Sequence, residues 1–150
     1  MLRGVHALNL DVKGRLAIPS KFREHLSVLC DGKLVVTIDR DHCLLLYPKP
    51  AWELLEAKLA AMPNMDAQTR GLQRMLIGHA TECDMDGNHR ILLPPLLREF
   101  AGLKKKAVML GQGNKIEIWD EQRWAKGRDD FLEAQKGEAR LSEALESLSL

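Results

Sequence analysis

From Val5 to Leu10 apolar and polar residues alternate, which is the period-two pattern of a half-buried strand. Lys13-Gly14 then reads as a hairpin turn, because glycine supplies the positive φ of tight turns, and Arg15 to Ile18 returns as a second strand. Pro19 opens a short helix from Ser20 to Leu26, and Asp31-Gly32 marks another turn. Leu34 to Ile38 and Cys43 to Tyr47 form a strand pair around a polar Arg40-Asp41-His42 tip. Pro48 and Pro50 stop that pair, and a helix follows from Ala51 to Ala61, with Trp52, Leu55, Leu59 and Met62 as its apolar stripe. Pro63-Asn64 breaks it. Asp66 is placed to N-cap a second helix reaching Ile77, with Arg70 and Arg74 on one exposed side.

The order then repeats. Thr81 to Asp86 is a strand, Gly87 to His89 a turn and Arg90 to Leu93 a strand, after which Pro94-Pro95 opens a short helix. Ala107 to Leu110 and Lys115 to Trp119 pair around GQGN, and Asp120 caps a final helix containing Trp124 and Phe131. The tail from Glu138 to Leu150 sets Leu141, Leu145 and Leu148 on one face, as a small helix or a loosely held end. The repeat is visible in identities as well as in pattern. Asp11, Arg15, Pro19, Arg23 and Glu24 of DVKGRLAIPSKFRE recur 75 positions later as Asp86, Arg90, Pro94, Arg98 and Glu99 of DGNHRILLPPLLRE. Tyr47 and Trp52 recur 72 positions later as Trp119 and Trp124. The expected organisation is therefore two repeats, 1–77 and 78–150, each unable to close a core without the other.

Composition narrows the class. With 45% apolar and 29% charged residues the chain falls among soluble globular proteins. No run is long enough to span a bilayer, no signal-peptide pattern opens it, and the expected compartment is the cytoplasm. Cys30, Cys43 and Cys83, odd in number and without CxxC spacing, point to a reducing compartment rather than a disulfide framework. The net charge of +1 hides an uneven distribution. Residues 1–24 carry five bases against two acids, and the stretch from Glu117 onward carries nine acids against five bases. Any nucleic-acid contact must come from a local patch.

The repeated Asp-x-x-x-Arg spacing has two readings. In the structural one, the carboxylate holds the turn amides and the guanidinium pairs with it. In the other, a rigid tip carrying Lys13 and Arg15, with Lys21 and Arg23 a helical turn further on, presents several donors to nucleic acid. Arginine suits that task because its planar fork donates two parallel hydrogen bonds to phosphate or to a guanine edge. The readings are compatible, since an aspartate can aim the fork without consuming all five donors.

DVKGRLAIP, followed by DGNHRILLP, resembles the MraZ family of the SpoVT-AbrB-like superfamily; MLRGVHALNLDVKGR, HATECDMDG and NKIEIWDEQRW extend the likeness over nearly the whole chain. The resemblance implies an α+β fold, a swapped-hairpin β-barrel formed from the two repeats with helices packed outside. It further implies a nucleoid-associated, non-enzymatic DNA-binding regulator that represses its own division and cell-wall gene cluster. The implied partners are double-stranded promoter DNA, bound at direct repeats, and further copies of the chain in a ring-like homo-oligomer. Carried over by position, the paired residues are Asp11 with Arg15 and Asp86 with Arg90. Around them Arg3, Lys13, Gly14, Lys21 and Arg23 complete the expected DNA-binding set. The second copy has His89 where the first has Gly14, Asn88 for Lys13 and Leu96 for Lys21. An altered second turn is therefore expected, with the first motif as the main contact surface. An oligomeric scaffold without a DNA role is the competing class.

Other chemistries find less support. His79, Cys83 and His89 with Glu82, Asp84 and Asp86 match no closed zinc spacing, so no metal is expected. No catalytic pair, cofactor fingerprint or phosphate loop is present, and GQGN lacks the lysine and helix of a phosphate cradle. Neither a cofactor nor a small-molecule substrate is expected, nor a membrane. Trp52, Trp119 and Trp124 are assigned to core or inter-subunit packing.

Overall fold

The computed structural model describes residues 1–137 and 141–150. Eight strands and six helices follow one another in these residues as β1 (Leu2–Asn9), β2 (Arg15–Ala17), α1 (Ser20–Cys30), β3 (Leu34–Ile38), β4 (Leu44–Pro48), α2 (Lys49–Ala61), α3 (Ala67–Leu76), β5 (Thr81–Glu82), β6 (Arg90–Leu92), α4 (Pro95–Phe100), β7 (Lys106–Gly113), β8 (Ile116–Asp120), α5 (Glu121–Ala134) and α6 (Glu143–Glu146). The fold is α+β, and every strand pairing is antiparallel.

Each of the eight strands finds a partner in the other half of the chain. A six-stranded sheet runs in the order β1-β7-β8-β4-β3-β5, and β2 and β6 form a separate two-stranded ribbon. The predicted hairpin between Val5–Leu10 and Arg15–Ile18 does not form: β1 pairs along its whole length with β7, and β2 pairs with β6. Alternation identifies a strand but carries no information about its partner. Among the described residues the expected barrel does not close, because β1 and β5 end the sheet without bonding to each other.

The pairing is symmetric between the repeats. In the ribbon Leu16 lies opposite Ile91, flanked by Arg15 opposite Leu92 and Ala17 opposite Arg90. Leu45 lies opposite Glu117 between β4 and β8, flanked by Leu44 opposite Ile118 and Leu46 opposite Ile116. The β1–β7 rung of Ala7 and Val108 has its counterpart in Glu82 and Val35 of β5–β3. That last ladder is short: only Thr81–Glu82 is strand where Thr81 to Asp86 was expected. The turn after α3, closed by bonds from Gly78 to Arg74 and from Ala80 to Ile77, leaves no extended residues upstream. Downstream, the Cys83 and Met85 amides still donate to Leu34 and Gly32 at 2.8 and 2.9 Å.

The main core joins both repeats, with Leu16, Ile18, Phe22, Leu26 and Leu34 packed among Ile91, Leu93, Leu97, Met109 and Ile118. Each such side chain contributes about 1.5–3 kcal/mol when fully buried. A second cluster, Val35, Cys43, Leu45, Tyr47 and Trp52, lies beneath α2. β3 and β4 are thus buried on both faces, which is why they read as continuous apolar runs. Thr37, the one polar residue of β3, donates its hydroxyl to the Leu76 carbonyl at 2.6 Å. Gly111 lets β1 approach: a Cβ there would collide with the backbone of Leu2 and Arg3.

The helices follow their sequence signals with small shifts. α2 starts at Lys49, because Pro50 fits the first helical turn instead of interrupting it. Trp52 and Leu59 are buried, but Met62 leaves the predicted stripe, lying in extended backbone past the helix end and half exposed. Asp66 caps α3, accepting from the Thr69 amide at 2.8 Å, and Asp120 caps α5, accepting from Arg123 at 3.1 Å. Of the predicted tail, Glu138–Arg140 lies outside the described residues, and Leu141, Leu145 and Leu148 are exposed around α6. No helix among the described residues is long and apolar enough to cross a membrane.

Candidate nucleic-acid interface

The Asp11 carboxylate organises the turn between β1 and β2. Its Oδ1 accepts from the backbone amides of Lys13 and Arg15, both at 2.9 Å, and its Oδ2 accepts from Arg15 Nε at 2.7 Å. The Asp11 amide donates to the Arg15 carbonyl at 3.0 Å, and the Gly14 amide donates to the Asp11 carbonyl at the same distance. Gly14 holds φ at 86°, and a Cβ there would press into the Arg98 guanidinium, its nearest atom 2.6 Å away. Arg15 spends only Nε on the carboxylate, so the two terminal NH2 groups remain for an outside partner.

The second copy repeats this construction. Asp86 Oδ1 accepts from the Asn88 and Arg90 amides at 2.8 and 2.9 Å, and Arg90 Nε donates to Oδ2 at 3.3 Å. The expected alteration at His89 does not occur. His89 takes φ of 59° and donates its amide to the Asp86 carbonyl at 2.9 Å, as Gly14 does to Asp11. Histidine tolerates this left-handed conformation at moderate cost, and the carboxylate bonds hold the turn in place.

Each turn is bonded to the far end of the other turn's strand, so the two stand at opposite ends of the ribbon. The Ile18 amide donates to the His89 carbonyl at 2.8 Å, and the Leu93 amide donates to the Gly14 carbonyl at 2.9 Å. Leu16 and Ile91 point inward and are fully buried, so their neighbours Arg15, Ala17, Arg90 and Leu92 share the opposite face of the ribbon. Arg15 and Arg90 stand diagonally across it, roughly 7–8 Å apart. Sequence spacing alone left two motifs far apart in the chain, and the fold makes them one surface.

Both carboxyls are tuned by this geometry. The Arg15 backbone amide is the largest influence on Asp11, joined by the Arg15 side chain and the Lys13 amide, and its carboxyl is held at about 2. Asp86 is likewise lowered, chiefly by the Arg90 amide. An unfolded aspartate titrates near ~3.9, so the stabilising contribution of Asp11 is complete above that pH and is lost as pH falls through about 2. In a carboxyl-carbon NMR titration Asp11 is expected to turn over near pH 2; an ordinary midpoint near ~4 would disprove the hydrogen-bonded turn in solution.

The remaining predicted residues divide. Lys13 is exposed on the first turn. Arg23 donates its Nε to the Ile18 carbonyl at 2.7 Å, which ties α1 to the end of β2 and, as in Arg15, leaves the terminal nitrogens over. Lys21 is exposed on α1, beside a shallow recess with Glu24, His25, Val28 and Leu29. Arg3 lies opposite Gln112 at the far end of β1, roughly 20 Å along the strand from the first turn. Two residues outside the predicted set reach the first turn, and a third lies one position on. Lys104 and Lys105 line a shallow groove with Asn9, Leu10, Asp11 and Val12, and Lys106 is paired with Asn9. A run of three consecutive lysines is the signal the sequence carries for them. The candidate metal ligands do not form a cage: Cys83 is buried with its thiol on the Leu92 carbonyl, and His79 turns to the Met75 carbonyl. No three metal-ligating side chains converge among the described residues.

The family described as "MraZ protein, putative antitoxin-like" matches this chain twice, over residues 1–75 and 76–144. The chain belongs to the MraZ family. The two matched segments correspond to the two strand-and-helix repeats, and each contributes one Asp–Arg turn to the ribbon. Among its MraZ relatives, the protein named transcriptional regulator MraZ of Thioalkalivibrio sulfidiphilus is 57% identical over 150 residues, covering all of both chains. That of Halorhodospira halophila is 54% identical over 152 residues, again covering all of both. A third, from Pseudomonas aeruginosa, is 49% identical over 151 residues with full coverage of each.

Proposed function

We propose that this chain is a non-enzymatic, sequence-specific DNA-binding regulator of transcription whose contact surface is the outer face of the β2–β6 ribbon. One observation carries the reading: two Asp–Arg turns, each with its arginine pre-aimed by a carboxylate and its terminal nitrogens free, are held at the two ends of one ribbon with both arginines on its outer face. Fixed arginine forks on a narrow two-stranded ribbon suit a major groove, which admits such a ribbon. Asp11, Lys13, Gly14, Arg15, Asp86 and Arg90 form its centre, with Lys21, Arg23 and Arg3 progressively further from it. The names of the relatives, all transcriptional regulators, support the same class.

The repeats act as one interlocked, swapped-hairpin unit in this reading, supported by the cross-repeat pairs β1–β7, β2–β6, β3–β5 and β4–β8. A near-neutral protomer makes few phosphate contacts, and its affinity at physiological salt is correspondingly low. Assembly into a ring-like homo-oligomer on repeated DNA boxes offsets this, since linked contacts gain roughly 10²–10⁴ in avidity. The α5 face supports assembly, because Phe131 and Leu132 stand more than half exposed there beside Trp119 and Trp124. The proposed setting is the cytoplasm, on the nucleoid, with repression of the chain's own division and cell-wall cluster. Duplex from upstream of the chain's gene is expected to shift on a gel and to show footprints on repeated boxes; binding no tighter than to random duplex would reject the proposal.

A further inference from the structure

The two Asp–Arg turns are alike in backbone, yet their flanks differ in charge. Beside the first turn, the Leu10 amide donates to the Lys105 carbonyl at 2.7 Å, and Asn9 faces Lys106 on the last rung of β1–β7. At the equivalent place beside the second turn, the Met85 amide donates to the Gly32 carbonyl at 2.9 Å. Lys104, Lys105 and Lys106 therefore occupy the positions held in the other repeat by Asp31, Gly32 and Lys33. Asn9 is likewise matched by Asp84, whose carboxylate accepts from the Leu34 amide at 3.2 Å. One flank carries three lysines; the other carries two aspartates and a lysine.

All three lysines are exposed, and none is paired with a carboxylate among the described residues. Nothing within the described fold uses their charge. Their backbone is fixed by β7 and by the Leu10 bond: Lys104 and Lys105 line the groove formed with Asp11 and Val12, and Lys106 stands next in the chain, opposite Asn9. Lys13 adds a fourth base on the adjacent turn, where the second copy has Asn88. A surface of this kind, continuous with an arginine fork and unlike its pseudo-symmetric counterpart, fits a phosphate backbone running past one end of the ribbon.

We propose that Lys104, Lys105 and Lys106 clamp the phosphates flanking the DNA box beside the first Asp–Arg turn, and so dock the chain on duplex DNA in one orientation. This rests on the DNA-binding reading above. The ribbon alone presents nearly the same face after a half-turn, and a palindromic contact would follow. The lysine flank removes that degeneracy. A box read this way has a direction.

The test compares the full chain with a Lys104→Gln, Lys105→Gln, Lys106→Gln variant, on duplex carrying the box and on random duplex, across a salt series. Each phosphate contact adds about 0.9 to the slope of log affinity against log salt. The variant's slope is expected to be shallower by about 2–3 on both duplexes. Its affinity should fall by a similar factor on each, so that discrimination is retained, and the hydroxyl-radical footprint should shrink at one edge only. An unchanged slope in a variant that still binds overturns the clamp and leaves the DNA-binding reading standing. A wild-type chain that binds neither duplex overturns both.

Discussion

Replacing Arg15 by alanine is expected to weaken binding to the cognate duplex by roughly tenfold to a hundredfold, and replacing Arg15 and Arg90 together to abolish the specific gel shift. The fork geometry sets the scale, since one bidentate arginine–base contact discriminates by about 1–3 kcal/mol. What makes this a test of function is the division of labour within each turn. The backbone of the first turn is held by Asp11 through the Lys13 and Arg15 amides, bonds that survive loss of the Arg15 side chain. The guanidinium contributes a single bond to a partly exposed carboxylate, an interaction of the kind that adds little to stability. The double variant is therefore expected to keep its unfolding midpoint and its oligomeric state. If the shift persists with both arginines gone, the ribbon is not the contact surface; if the protein unfolds instead, the arginines are structural. Asp11→Ala offers the converse case. It removes the bonds that shape the turn while leaving Arg15 in place, so binding and local hydrogen-exchange protection are expected to fall together.

The parts of this arrangement legible from the sequence are those decided locally. The β3 and β4 strands announce themselves as apolar runs, and the caps of α3 and α5 as Asp66 and Asp120, because each signal is contained within a few residues. Which strands meet is decided between residues 45 to 111 positions apart, and no local pattern encodes it. For that reason the hairpin assigned to Val5–Ile18 dissolves into pairings with β7 and β6. The same gap hid the site. Comparing the copies singled out Asp11, Arg15, Asp86 and Arg90, but only the Leu16–Ile91 rung shows that they share a surface. Substitutions misled in one respect. His89 signalled a changed turn, whereas the Asp86 bonds impose the same backbone on a less suited residue. The lysines beside the first turn lie some ninety positions from it in sequence and join it through a β1–β7 rung that alternation could not assign.

Leu16→Ala is expected to be the most destabilising of these changes, at about 2–5 kcal/mol, read as a lower denaturation midpoint in urea. Leu16 is fully buried and sits opposite Ile91 at the centre of the ribbon, where the repeats cross. Its cavity would open between Ile18, Phe22, Leu93 and the other members of a core drawn from both halves of the chain, a region with little freedom to collapse. The loss is a large share of the roughly 5–15 kcal/mol that stabilises an ordinary domain. Its form matters as much as its size. If the halves were independent units leaning on each other, the variant would show two transitions, with the second repeat melting as in the wild type. Because four strand pairings run between the repeats, the expectation is one cooperative transition, shifted as a whole for probes in either half. Ile91→Ala, the matching change in the second repeat, should reproduce the shift. The two together should cost less than their sum, since the side chains line one shared cavity. A second transition that survives Leu16→Ala unmoved would separate the repeats into two folding units, and the ribbon would then be a contact between domains rather than the centre of one.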